Sequence, residues 1–164
     1  MTGPESLVAL LNSRAHAGQP EALGAPDTAP PVLRDLGHEG DVVSPELLDE
    51  VRAVRADLMA ILEEGEGWER FSARTSHVAF RYAFSPTGSV EPRQVAGDPV
   101  VGSIALHVAQ LIAADAWPRL KVCANHRCAR VFYDTTRSRT QRWHSYKVCG
   151  NKSNVAAHRA RARS

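Results

Sequence analysis

Two stretches of the chain repeat apolar residues at the helical period. In the first, Leu47, Leu48, Val51, Val54, Leu58, Ile61 and Leu62 recur every three or four positions and predict one long amphipathic helix. Ser44 can cap its start, Pro45 suits the first helical position, and Gly65 and Gly67 end it. In the second, Val101, Ile104, Ala105, Val108, Leu111 and Ile112 share one face, Asp98-Pro99 opens the helix by the same logic, and Trp117-Pro118 ends it. Between the two the period changes. Val78, Phe80, Tyr82 and Phe84 alternate with Ala79, Arg81 and Ala83, which is strand patterning. Ser85-Pro86-Thr87-Gly88 reads as a turn, and Ser89–Val95 as the returning strand, with Pro92 weakening that strand or placing it at an edge.

Upstream the pattern is weaker. Residues 6–12 form a short apolar run that fits a helix or a strand, and residues 18–41 are rich in Gly, Pro and acids. Pro30-Pro31 argues against regular helix there, leaving a loop with a short helical turn around Val32–Leu36. The expected fold class is α+β: N-terminal helices packed with a small antiparallel hairpin or sheet over residues 1–118, then a treble-clef-like or knuckle-type module ending in a short helix over residues 119–164.

Composition changes this picture in one respect. The chain has 164 residues, of which 43% are hydrophobic, enough for a real core. No apolar run reaches the roughly 18 residues of a membrane span, and Met1–Ala9 lacks the pattern of a secretory signal. These readings predict a cytoplasmic protein with reduced thiols. The net charge of +2 hides a split. Residues 1–118 carry eight Lys/Arg against seventeen Asp/Glu, a net −9, whereas residues 119–164 carry twelve against one, Asp134, a net +11. A basic block of that size calls for a polyanion, and nucleic acid is the expected class.

All three cysteines lie inside the basic block. Cys123 and Cys128 have four residues between them, fifteen residues follow, and His144 and Cys149 again enclose four. Two like-spaced pairs joined by a medium loop are the arrangement of a tetrahedral structural Zn²⁺ site. Three thiolates and one imidazole fill four positions and leave none for a reactive water. His126, inside the first pair, is the main rival for the fourth ligand, and His158, beyond the second pair, is another. The matched spacing favours His144. His77 and His107, in the acidic half, read as satisfied boundary residues.

Arg137, Arg139, Arg142, Lys147 and Lys152 surround the ligands, interleaved with Thr135, Thr136, Ser138 and Thr140. Guanidinium groups among small hydroxyls suit phosphate contact. A terminal helix from Gly150-Asn151 to about Arg161 would add Asn151 and Arg159 to that surface. Phe132 and Trp143 are expected to pack around the metal loops, with zinc replacing an extended core. Tyr133 and Tyr146 are candidates for base stacking.

At these residues the chain resembles the CGNR zinc-finger family. The resemblance runs over Cys123-x4-Cys128, Val131-Phe132-Tyr133-Asp134-Thr135-Thr136-Arg137, Arg142-Trp143-His144-Ser145-Tyr146 and Cys149-Gly150-Asn151-Lys152. Two positions depart from it: His144 replaces the usual cysteine, and Lys152 replaces the eponymous arginine, keeping charge but losing a bidentate fork. The Leu10-Leu11-Asn12-Ser13 run resembles the opening of the α+β region, called ABATE, that usually precedes the finger. The resemblance implies a bacterial, stress-induced transcription regulator whose finger binds duplex DNA and whose upstream domain senses a signal. The alternative is a zinc-stabilised module for protein or RNA. The acidic region shows no nucleophile elbow, phosphate loop or paired metal-ligand carboxylates, so no enzyme is expected. A small-molecule effector of that region and a homodimer both stay open.

Overall fold

The computed structural model describes residues 4–151. The expected architecture is present: a mixed α+β chain with two small antiparallel hairpins and a cysteine–histidine cluster at its C-terminal end. The ambiguous run near the N-terminus is a helix, α1 (Glu5–Asn12). Pro30 and Pro31 do not forbid helix as expected; they occupy the first turn of a short one, α2 (Pro30–Leu33), where a missing N–H costs nothing. A 3₁₀ turn, Arg34–Leu36, continues it.

The long amphipathic helix is α3 (Pro45–Glu64), with the Ser44 hydroxyl accepting from the Leu47 amide at 3.2 Å. A helix that the periodicity did not suggest, α4 (Trp68–Arg74), follows at once. Its seven residues are too few to show a repeat, and its anchor is tertiary. Asp57 of α3, only 3% exposed, accepts from Arg70 at 3.0 Å and Arg74 at 2.6 Å. The second amphipathic helix is α5 (Pro99–Ala113), capped by Asp98, whose carboxylate takes the Val100 and Val101 amides. It stops before Trp117-Pro118, which instead open a 3₁₀ turn to Arg119.

Leu7, Leu10 and Leu11 of α1, Leu33 of α2, Val51, Val54 and Leu58 of α3, and Val101 and Ile104 of α5 are fully or almost fully buried together. At about 1.5–3 kcal/mol for each such side chain, this aliphatic cluster outweighs the half-exposed ion pairs as the source of stability. His107 of α5 lies inside, 7% exposed, whereas His77 stays at the surface, 3.4 Å from Glu50.

The strands β1 (Ala79–Phe84) and β2 (Val90–Ala96) pair antiparallel, with Tyr82 opposite Pro92 and Phe84 opposite Val90. This hairpin was expected to pack among the helices, but Tyr82 is 72% and Phe84 80% exposed. Gln94 of β2 lies against Gly102 of α5, where any Cβ would have to displace its side-chain amide. The Gln94 amide also donates to the carbonyls of Ala96, Gly97 and Asp98 at 2.9–3.1 Å.

Candidate metal centre

The segment after α5 folds back through β3 (Leu120–Val122) and β4 (Val131–Tyr133), an antiparallel pair that places Lys121 opposite Phe132. Three residues per strand are below what periodicity can reveal. Leu120 and Val131 point into the aliphatic cluster of the helices, so one continuous core spans both halves. The chain between β3 and β4 is the first knuckle. The Cys123 amide donates to the Arg130 carbonyl at 2.8 Å, and the Cys128 amide to the Asn125 carbonyl at 2.8 Å. The Asn125 side chain accepts from the Arg127 amide, and Ala129 takes a left-handed conformation, φ 50°, to turn back into β4.

The second pair sits on a different turn. Ser145 caps the wide turn Tyr146–Gly150, accepting from the Val148 amide at 3.3 Å, and Cys149 lies at its buried end. A Cβ at Gly150 would stand 2.8 Å from the Tyr146 ring, so a side chain there would have to displace that ring. Ala124 of the first knuckle donates to the Arg142 carbonyl at 2.9 Å and holds the two turns together.

Cys123, Cys128, His144 and Cys149 converge, with one ligand atom from each lying within 4.8 Å of the others. His144 Nδ1 is 3.4 Å from Cys128 Sγ and 3.7 Å from Cys149 Sγ. A tetrahedral zinc with Zn–S of about 2.3 Å and Zn–N of about 2.0–2.1 Å requires S···N edges of roughly 3.5 Å. The donor set therefore fits Zn²⁺. The rival His126 is exposed on the knuckle and outside the cluster.

Electrostatics favour the same occupant. Burial, and then Cys149 and Cys123 beside it, push the Cys128 thiol up, while the Arg130 amide pulls it down. Thiolates so crowded repel, and a divalent cation between them removes that repulsion. Burial first, and Arg130 second, hold His144 below its usual range, which keeps its imidazole neutral and able to ligate. Phe132 and Trp143 pack on the thiols, as expected. Closed four-coordination of this kind defines a structural zinc finger.

The family model described as CGNR zinc finger matches residues 119–162. This segment is a CGNR zinc finger, and its cofactor is Zn²⁺. No curated protein gives a significant match to the chain.

Two residues that organise the finger escaped the sequence reading. Asp134 is fully buried. It accepts from Lys121 Nζ at 2.7 Å, from the Thr136 amide and hydroxyl at 2.9 and 2.5 Å, and from the Gln141 amide at 2.9 Å. Burial would raise its pKa, but these donors prevail and hold it well below the usual carboxylate range. Its being the lone acid among twelve bases was the available signal. Asn12, at the end of α1, pairs with the edge of β4: its amide donates to the Val131 carbonyl and its oxygen accepts the Val131 amide, both at 2.8 Å. Arg14 adds a hydrogen bond to the Ala129 carbonyl.

The four basic candidates in the described region divide. Arg137 and Lys147 are exposed and have no ion pair among the described residues. Arg142 lies over the Trp143 ring, 5.4 Å from its centroid. Arg139 is tied to Asp115, just past α5, at 2.8 Å. Asn151, the polar candidate, is exposed. Lys152, Arg159, the rival ligand His158 and the body of the expected terminal helix lie outside the described residues.

Proposed function

We propose that the chain is a non-enzymatic, zinc-dependent DNA-binding transcription regulator in which an ABATE-like upstream half governs a CGNR finger. One observation carries the DNA reading. The finger's single acid, Asp134, is fully buried and bound by four donors. No carboxylate of the finger therefore offsets its surface, where Arg137, Arg139, Arg142 and Lys147 are all exposed. A one-sign surface on a metal-braced scaffold suits the phosphate backbone of a duplex. Arg137, Arg142, Lys147, Asn151, Lys152 and Arg159 are assigned to phosphate or base edges, and Arg139 joins them on release from Asp115.

Titrating labelled duplex DNA with the zinc-loaded full chain over a salt series tests this reading. Log affinity should fall linearly with log salt at about −0.9 per phosphate contact. Absence of binding at low salt would refute it, and preference for single-stranded RNA would replace it with the RNA-module alternative.

A further inference from the structure

A cleft of about 690 Å³ lies where α1 and the loop after it meet β4 and the finger. Its volume is in the range of small-molecule sites, about 300–1,000 Å³. Val8, Ala9, Pro20 and Phe132 give it an apolar wall, and Arg130 and His144 stand together at the metal side. It belongs to neither half alone.

The zinc ligand itself supplies the second observation. A metal-bound imidazole normally donates its outer N–H to a carboxylate, carbonyl or water. In His144, Nδ1 faces the thiols, so Nε2–H is the outer donor. It has no hydrogen-bond acceptor among the described residues, and His144 lines the cleft. Arg130 is exposed, lines the same cleft as His144, and is without an ion pair among the described residues.

We propose that this cleft is a binding site for a small amphipathic carboxylate, whose apolar body lies on Val8, Ala9, Pro20 and Phe132 and whose anionic end takes the His144 Nε2–H and Arg130. A cation leaves both donors unanswered, and a neutral acceptor meets them without a charge to answer Arg130. The ligand completes the outer shell of the zinc site, so its binding is felt at the metal ligand as well as at α1. The site stands independently of the DNA reading, because it requires no nucleic acid.

The test uses 3-phenylpropanoate as probe and 3-phenylpropan-1-ol as its neutral counterpart, added to the zinc-loaded, isotope-labelled full chain and followed by NMR. The carboxylate should shift the amides of Val8, Ala9 and Phe132 together with the His144 Nε2–H signal. It should bind about tenfold tighter than the alcohol, the worth of a charge-assisted hydrogen bond. Arg130→Gln should bring the two probes to similar affinity. Ala9→Trp, at an exposed position on the cleft wall, should remove both responses while the remaining spectrum stays folded. Equal affinity of the two probes for the native chain would overturn the proposal, as would carboxylate shifts that survive Ala9→Trp, or no response at millimolar probe.

Discussion

The two halves of this molecule are held by different physics. Residues 5–113 bury a continuous aliphatic cluster drawn from α1, α2, α3 and α5. The finger buries Cys123, Cys128, Phe132 and Cys149, with Trp143 packed beside them. The first is a solvent-exclusion core whose many contributions are individually replaceable. The second is a coordination core in which each ligand is indispensable, because a segment this small cannot offset its chain entropy by apolar burial alone. Where they meet they share Leu120 and Val131 and the two hydrogen bonds of Asn12. A half built on aliphatics should degrade gradually under mutation, and a half built on a metal should fail at once.

The largest effect should come from the metal. Removing zinc by chelation, or substituting Cys149→Ser, should abolish the ordered amide signals of residues 123–151 while the far-ultraviolet helical signal of α3 and α5 persists. Structural zinc in small fingers carries about 10–16 kcal/mol of apparent binding energy. Simultaneous collapse of both halves would break the comparison.

Next in size, Leu58→Ala removes a fully buried side chain from the aliphatic cluster and should cost about 2–5 kcal/mol in denaturant unfolding. Zinc stoichiometry should stay unchanged. Asp134→Asn removes the charge that answers Lys121 and gathers the Thr136 and Gln141 amides, and should cost about 3 kcal/mol.

The pH response distinguishes the halves further. His144 has its pKa lowered in the fold, by burial and then by Arg130, so the unfolded chain binds the proton more readily. Its contribution is present above the unfolded value of about 6.5 and declines as pH falls below it, and zinc, which competes with the same proton, steepens that decline. Zinc release should therefore begin below about pH 6.5, and His144→Cys should move it to lower pH. Coincident release curves for the native and substituted chains would refute this.

Asn12→Ala should cost about 1–3 kcal/mol, because it leaves both polar groups of Val131 unanswered at the junction. The increase in hydrogen exchange should centre on β4. The smallest effect belongs to Asp115→Asn. Its partner Arg139 is 41% exposed and Asp115 is 80% exposed, so the pair contributes less than about 1 kcal/mol. Duplex affinity is the more sensitive readout, and it should rise slightly as Arg139 is released.

Periodicity located α3, α5 and the β1–β2 hairpin because each is long enough to show its repeat and carries its own start signal, Ser44-Pro45 or Asp98-Pro99 for the helices. It missed α4, β3 and β4 because seven helical residues, or three strand residues, hold less than two periods of their own pattern. The prolines at 30 and 31 misled for a related reason: proline disrupts a helix interior but suits a first turn, and the boundary that decides between these is not local.

The same division holds at the metal. Ligand identity was readable in the sequence, since zinc demands particular donor atoms at spacings a tight turn can bridge, and those spacings are covalent facts of the chain. The roles of Asp134 and Asn12 were not, because a carboxylate or an amide acquires its meaning from the donors and acceptors that surround it. Lys121 lies 13 positions before Asp134 and Gln141 lies 7 after it, and Val131 lies 119 positions beyond Asn12. What depends on donor chemistry and on short-range geometry was fixed by residue order alone. What depends on which distant backbone groups become neighbours — the shared core, the α1–β4 seam and the cleft beside His144 — was decided only when the chain folded.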